Sequence, residues 1–152
     1  FDSIIMWHCL EHLPSPKMAL EKAWRMLKPK GRVFIFSPNA NSYLSRIFGA
    51  YWFPWSTPFH LYHFTEQTMR KLASVCNFEI AKMRTSTVEY HFALSLNAYL
   101  SHKFGKPLSD IFQARVFHTL PLRLAQACIF RPLDLCMPGR GEALRVELRK
   151  PG

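Results

Sequence analysis

The stretch FDSIIMWHCLEHL at residues 1–13 opens the chain, and LKPKGRVFIFSPN follows at residues 27–39. The first seven residues form a nearly continuous apolar run, which is typical of a strand buried on both faces of a parallel sheet. Residues 32–37 predict a second strand, rich in β-branched and aromatic side chains. Between the strands, Ser15 and Pro16 begin a predicted helix with apolar residues at helical spacing. This strand–helix–strand unit predicts two parallel strands of an α/β sheet.

Further along, the pattern predicts one more helix, a long helical region and two more strands. Thr65 caps the helix, and Asn77 ends it in a left-handed conformation. Residues 78–88 predict the third strand, and residues 142–150 predict a last strand with alternating apolar side chains. Residues 92–137 are predicted to form a helical insert before that last strand.

Composition and charge narrow the class of protein. The chain has 152 residues, 49% of them hydrophobic, which suits one globular domain. Its formal charge of +10 would attract phosphates, anionic lipid headgroups or an acidic substrate. The basic residues are scattered and match no nucleic-acid-binding motif, so we expect no nucleic-acid partner. Free cysteines in apolar stretches (Cys9, Cys76, Cys128 and Cys136) predict small buried side chains and a reducing, cytoplasmic compartment.

Three blocks carry a resemblance to a known family: residues 1–13, the turn LKPKG at 27–31 and FSPN at 36–39. They resemble the fourth strand, the following helix and the fifth strand of class I S-adenosylmethionine-dependent methyltransferases. HLYHFT at 60–65 and CNFE at 76–79 resemble the bacterial ubiquinone-biosynthesis-like branch, methyltransferase type 23 or 11. The resemblance implies a Rossmann-like α/β fold, in which residues 1–152 supply the C-terminal part, strands 4 to 7, of a single domain.

The chain departs from the family pattern in two places. Lys30 stands where the family has the first of two glycines. No glycine-rich loop follows a first strand, and no acidic residue ends a second strand to hold the ribose hydroxyls of the cofactor. Since the chain opens at Phe1 within a predicted strand, we expect a preceding segment. We also expect residues 1–152 to be inactive alone.

The resemblance assigns the end of the first strand to the S-adenosylmethionine site. Ligands of open α/β sheets bind beyond the carboxyl ends of the strands, which brings Trp7, His8 and Cys9 toward the cofactor. His8 is also a candidate catalytic base, because imidazole titrates near neutral pH. His12 is a second catalytic candidate. The alternative for His8 is a polar residue that only closes the strand.

A divalent metal is a further implication of the resemblance. His8, Glu11 and His12 form the pattern H-x-x-E-H, whereas metal-binding relatives carry E-x-x-E-H. The resemblance implies a site of Glu11, His12 and His60, in which the ion would polarise a substrate hydroxyl. The extra histidine favours zinc, manganese or iron over magnesium. The alternative is that these residues only begin the next segment or bond locally.

Residues 39–64 are unusually aromatic and predict a lid-like loop. Such a loop would close over a bulky acceptor and exclude water, with Trp52, Trp55 and Tyr62 as substrate contacts. The alternative is that about half of the rings form a satellite core.

The late helices pair apolar residues with Arg115, Arg123 and Arg131. This basic amphipathic pattern predicts peripheral membrane contact, or packing against another part of the protein or a homodimer partner.

Two functions therefore stand as hypotheses. The first is methyl transfer from S-adenosylmethionine to an oxygen or nitrogen of a small or lipid-linked acceptor, achieved mainly by positioning. The second is a non-catalytic half-domain that acts as a scaffold or as a membrane-docking or partner-binding module. An exposed edge of the first strand would invite such a partner.

Overall fold

The computed structural model describes residues 1–105, 128–130, 132 and 134–152. In this part the order of strands and α-helices is β1 (Ser3–Trp7), α1 (Pro16–Met26), β2 (Arg32–Pro38), α2 (Tyr43–Phe48), α3 (Glu66–Val75), β3 (Glu79–Ser86), α4 (Glu89–Phe104) and β4 (Ala143–Arg149). Short 3-10 turns lie at Leu10–His12, Gly49–Tyr51 and Phe53–Trp55.

The four strands form one sheet in the order β1-β2-β4-β3. β1 and β2 are parallel, with Trp7 opposite Phe36, as the strand–helix–strand pattern predicts. β4 lies between β2 and β3 and is antiparallel to both. The mixed α/β sheet confirms the predicted fold class.

The predicted helix signals are confirmed at both helices that cover the sheet. The Ser15 hydroxyl accepts a hydrogen bond from the Met18 N–H at 3.3 Å. Thr65 and Thr68 form a reciprocal capping box at the start of α3. Asn77 has φ of 62°, the left-handed conformation expected after the helix.

One face of the sheet carries the main core. Leu20 of α1 and Met69 of α3 are fully buried against Val33, Ile35 and Leu148 of the strands. These apolar contacts hold a layer of two helices, α1 and α3, against one face of the sheet.

The other face is open in the described part of the chain, where Ile5 and Trp7 are largely exposed. The prediction that the first strand is buried on both faces is therefore wrong for these residues. The reason is that β1 is the edge strand of the described sheet. No described strand pairs with its outer edge, and no described helix covers the face that carries Ile5 and Trp7.

The aromatic segment at 39–64 is not a loop, contrary to the prediction, because α2 and two 3-10 turns occupy its middle. A second core joins it to α4 and to Phe130. Four of its nine large rings lie buried. Tyr43, Phe48 and Trp52 belong to this second core, which matches the alternative of a satellite core, whereas Phe64 belongs to the main core.

The helical insert is only partly described. α4 begins at Glu89, three residues before the predicted start, and residues 128–130 and 134–136 are helical. Arg115, Arg123 and Arg131, with their predicted amphipathic surface, lie outside the described residues. No helix of the described part is long and apolar enough to cross a membrane.

The four cysteines are free, but only part of the prediction about them holds. Cys76 is buried and Cys9 is half-buried. Cys128 and Cys136 are exposed, so the prediction of small buried side chains is wrong for these two. Both lie in short helical pieces that present these side chains to solvent.

Candidate functional site

His8 leaves the sheet directly after β1 in an unusual backbone conformation. Its φ of 44° lies in the left-handed region, which is sparsely populated by non-glycine residues and is frequent at functional sites. Its N–H still donates to the Phe36 carbonyl at 2.9 Å. The chain therefore turns sharply at His8 while remaining attached to β2.

This turn brings His8 against Glu11. His8 Nδ1 lies 3.2 Å from Glu11 Oε1, and the two side chains are 30% and 1% exposed. An ionised carboxylate can only accept, so Nδ1 carries the proton, and Nε2 of the neutral imidazole keeps its lone pair. Burial raises the pKa of Glu11, but the hydrogen bonds that it accepts, chiefly from His8, outweigh burial and hold the pKa below its usual value.

The second carboxylate oxygen of Glu11 is an orphan. Oε2 is buried and accepts no hydrogen bond within the described part of the chain, and the same holds for the Ser37 hydroxyl in β2. Ser37 also helps to lower the pKa of Glu11, although neither its hydroxyl nor Oε2 has a partner within hydrogen-bond geometry. Buried polar atoms of this kind usually have a partner, such as an ion, a water or a ligand.

His12 and His60 present their imidazoles in matching fashion. His12 Nδ1 lies 2.9 Å from the Phe59 carbonyl oxygen, and His60 Nδ1 lies 2.7 Å from that of Pro54. A carbonyl only accepts, so both Nδ1 atoms carry protons and each Nε2 of the neutral ring keeps its lone pair. Burial lowers the pKa of His60, against the opposing effects of the Pro54 carbonyl and Glu11, and this favours the neutral form.

The structure brings the predicted metal ligands together. Ligand atoms of Glu11, His12 and His60 all lie within 4.8 Å of one another. Histidines that bind metals usually donate their other ring N–H to a carbonyl or carboxylate, as these do. The donor set therefore fits a divalent cation of borderline softness.

Backbone hydrogen bonds hold the segment that carries His60 against the turn that carries Glu11 and His12. The N–H groups of Leu61 and Tyr62 both donate to the Glu11 carbonyl, at 2.8 and 3.2 Å. The Tyr62 hydroxyl donates to the Pro14 carbonyl at 3.0 Å. Residues 59–62 are thus tied to the Leu10–His12 turn, which explains how His60 reaches Glu11 and His12, far earlier in the sequence.

The three predicted substrate contacts lie in different environments. Trp52 is 1% exposed, and its Nε1 donates to Glu142 Oε2 at 2.8 Å, so its indole offers no surface to a ligand here. Trp55 is half-buried and packs edge-on against Trp52 at 5.1 Å. Tyr62 is exposed beside the cluster. Trp55 and Tyr62 are therefore accessible, and Trp52 supports Trp55.

The other predicted cofactor residues flank His8. Trp7 is exposed and stacks on Phe36 with ring centroids 4.2 Å apart. Cys9 is half-buried. Both lie at the carboxyl end of β1, where ligands of α/β sheets bind.

Sequence reasoning missed several groups of this site. The carbonyls of Pro54 and Phe59 set the histidine tautomers, and no side-chain pattern reveals a carbonyl's direction. Ser37 gave no signal beyond its place near the end of a strand. His63, which bonds the Trp55 carbonyl at 3.0 Å and packs near His60, could have been noticed from its spacing of three residues.

The fold and the site define an α/β protein of the Rossmann-like, class I methyltransferase type, with a histidine–carboxylate cluster beyond β1. A methyltransferase domain family matches residues 1–82, more than half of the chain. The chain belongs to this methyltransferase domain family.

Individual relatives agree with this assignment. The ubiquinone biosynthesis O-methyltransferase of Pseudomonas putida (strain W619) is 42% identical over 52 residues, which is 33% of this chain and 22% of that protein. A possible histamine N-methyltransferase of Thermotoga maritima superposes with a TM-score of 0.57 at 16% identity, over 99% of this chain and 56% of the other. A methyltransferase-like protein of Bacillus halodurans C-125 gives 0.58 and 16%, over 100% and 65%. The chain thus spans less than two thirds of each relative.

Proposed function

We propose that this protein transfers a methyl group from S-adenosylmethionine to a hydroxyl oxygen of a small or lipid-linked acceptor. The observation that carries the proposal is the family match over residues 1–82, which include β1, β2 and the His8–Glu11 pair. The match does not favour the alternative of a non-catalytic scaffold or docking module. The name of the Pseudomonas relative supports oxygen over nitrogen as the accepting atom.

His8 would act as the base. Its Nε2 lone pair takes the proton of the acceptor hydroxyl as the oxygen attacks, and the buried Glu11 carboxylate stabilises the resulting imidazolium through Nδ1–H. When bound, the cofactor supplies an electrophilic methyl group on a sulfonium. The acceptor hydroxyl is the group with a proton to lose, so the acid–base help from His8 and Glu11 would act on the acceptor side.

The residues of this chain that would contact the cofactor all lie on one side of it, at the carboxyl end of β1. Trp7, His8 and Cys9 would hold the methionine end, since the left-handed turn at His8 opens the carboxyl end of β1. In the described part of the chain no strand is followed by a glycine-rich loop that would let backbone N–H groups approach the cofactor closely. This supports the expectation that other residues complete the site.

Glu11, His12 and His60 would hold a divalent ion next to these residues. Ligand atoms of the three side chains lie within 4.8 Å of one another, and Oε2 of Glu11 has no hydrogen-bond partner in the described part of the chain, which supports such an ion. Bound there, the ion would act as a Lewis acid toward an acceptor oxygen. Trp55 and Tyr62 would line the acceptor side of the pocket.

The first experiment measures methyl transfer and cofactor binding. Radiolabelled S-adenosylmethionine is offered with panels of phenols, alcohols and amines, and its binding is measured by calorimetry. When the residues that complete the cofactor site are supplied, we expect transfer to hydroxyl acceptors, and His8→Ala should then lower kcat by about 100-fold or more. Residues 1–152 alone should give no transfer. His102→Ala, an exposed histidine on α4, is the matched control and should leave kcat unchanged.

Each failure has a distinct meaning. Transfer to amines alone would overturn the oxygen assignment. Full activity of His8→Ala would show that His8 is not the catalytic base. Failure to bind S-adenosylmethionine even when the residues that complete the cofactor site are supplied would overturn the proposed activity itself.

The second experiment tests the metal separately from activity. Calorimetry with zinc and manganese should show binding that Glu11→Gln and His60→Ala each weaken by at least about tenfold. Magnesium should bind more weakly. If these variants bind the metals as tightly as His102→Ala does, the proposal that Glu11, His12 and His60 hold the ion is wrong.

A further inference from the structure

The 3-10 turn at Phe53–Trp55 depends on α4 for one of its backbone hydrogen bonds. The first N–H groups of a helical turn have no acceptor within the turn itself. The residue before this turn, Trp52, carries only a donor in its side chain and cannot cap the Phe53 N–H. That N–H donates instead to the Ser95 hydroxyl at 2.9 Å. Ser95 lies on α4 and is fully buried, so packing restricts the position of its hydroxyl.

The carbonyl groups of the same turn hold two histidines. The Pro54 carbonyl oxygen lies 2.7 Å from His60 Nδ1, and the Trp55 carbonyl oxygen lies 3.0 Å from His63 Nε2. The His60 N–H also donates, at 3.1 Å, to the carbonyl of Ser56, which directly follows the turn. The position of the His60 imidazole therefore depends on the position of this turn.

Other bonds of the turn do not tie its backbone to α4. Pro54 has no N–H to donate, and the Trp55 N–H bonds locally, to the Trp52 carbonyl at 3.1 Å. The Trp52 indole is held by Glu142, but that bond fixes a side chain that precedes the turn. Among the described residues, Ser95 supplies the hydrogen bond between α4 and the backbone of the turn.

We infer that Ser95 is a positioning residue for His60. Its hydroxyl fixes the turn and so directs the Pro54 carbonyl, which keeps the proton of the neutral His60 imidazole on Nδ1 and leaves the lone pair on Nε2. Without the hydroxyl, the Phe53 N–H loses its acceptor and the turn can shift, so the Pro54 carbonyl no longer selects one tautomer. The consequence for metal binding rests on the proposed function, whereas the tautomer of His60 can be measured without a metal or a cofactor.

Nitrogen NMR of the metal-free protein tests the inference. Histidine is labelled with 15N, and ring correlation spectra are recorded at about pH 8, above the ordinary imidazole pKa of about 6.5. The His60 signals are those missing from His60→Ala. We expect the proton on Nδ1 in the wild type and a mixture of both tautomers in Ser95→Ala. Ser95→Thr keeps the hydroxyl and should keep the wild-type tautomer.

A second serine of α4 provides the matched control. The Ser101 hydroxyl bonds Asn97 Oδ1 at 3.4 Å rather than the turn, so Ser101→Ala should leave the His60 tautomer unchanged. Zinc calorimetry should show about tenfold weaker binding for Ser95→Ala, the lower end of the effect of groups that orient metal ligands, and no loss for Ser101→Ala. Thermal unfolding checks that all variants fold.

Three outcomes would overturn the inference. One is Ser95→Ala with His60 in the wild-type tautomer alone. Another is the same change of tautomer in Ser101→Ala. The third is a Ser95→Thr variant that is as stable as wild type but shows the mixed tautomers of Ser95→Ala, because the hydroxyl would then not be the deciding group. A wild type that binds no zinc, together with the expected change of tautomer in Ser95→Ala, would contradict the proposed metal site but support the positioning role of Ser95.

Discussion

Glu11 and Glu142 are both buried carboxylates beside a histidine, but the two regions complete them differently. At the end of β1, Glu11 bonds His8 through one oxygen and leaves the other without a partner. Before β4, Glu142 accepts from the Leu44 N–H through one oxygen and from Trp52 Nε1 through the other.

The histidines differ in the same direction. His8 is 30% exposed, whereas His91, with Nδ1 3.5 Å from Glu142, is 3% exposed. Both oxygens of Glu142 are occupied and both side chains are buried, so this pair serves packing, although His91 Nδ1 has no hydrogen-bond partner in the described part of the chain. An open pair retains a buried oxygen and an accessible imidazole nitrogen, which is the form that binding and proton transfer need. Residue type alone does not separate the two cases.

The largest expected effect is on stability at the closed pair. Glu142→Ala leaves the buried Trp52 and Leu44 N–H groups without acceptors, and each such group costs about 1–3 kcal/mol. We expect a loss of about 3 kcal/mol or more in the free energy of unfolding, measured with urea. Glu79→Ala, which breaks an exposed ion pair with Arg149, is the control and should cost about 0–1 kcal/mol. Similar losses for both variants would show that the hydrogen bonds of Glu142 contribute no more to stability than an exposed ion pair does.

The sequence predicts much of the region around Glu11 because its signals are local. Strand runs, the Ser15 and Thr65 caps and the spacing of His8, Glu11 and His12 all act over a few residues. The exposure of β1 could not be predicted in this way. It depends on which strands pair beside it, and residues 1–7 carry no information about that neighbour.

The region around Glu142 is the harder one for sequence reasoning. Trp52 stands in an irregular segment without helical or strand periodicity, so nothing local distinguishes a buried ring from an exposed one. Its partner Glu142 lies 90 positions later. His60 joins the site for a similar non-local reason, since backbone bonds from residues 61 and 62 to Glu11 position it.

The same substitution at both carboxylates sharpens the comparison. Glu142→Gln puts an amide NH₂ where one of two donors needs an acceptor, so we expect a loss of about 2 kcal/mol. Glu11→Gln keeps an oxygen for His8 Nδ1 and removes a charge whose second oxygen has no partner, so the loss at neutral pH should stay below about 1 kcal/mol. Urea unfolding of both variants gives the difference. A larger loss at Glu11 would mean that its second oxygen is satisfied in solution.

The smallest effect is the pH dependence of that Glu11 difference. Hydrogen bonds, mainly from His8, hold the pKa of Glu11 below its ordinary value despite burial, so folding favours the ionised form. Its contribution to stability is therefore complete above the unfolded pKa of about 4.3 and disappears as pH falls through the lower folded value. The stability gap between wild type and Glu11→Gln should shrink from pH 6 toward pH 3, in urea titrations at each pH. Added salt should change it little, because buried pairs are weakly screened. A gap that widens in acid would mean that burial dominates and that Glu11 is protonated more readily in the folded protein, which would also remove the anionic partner proposed for His8.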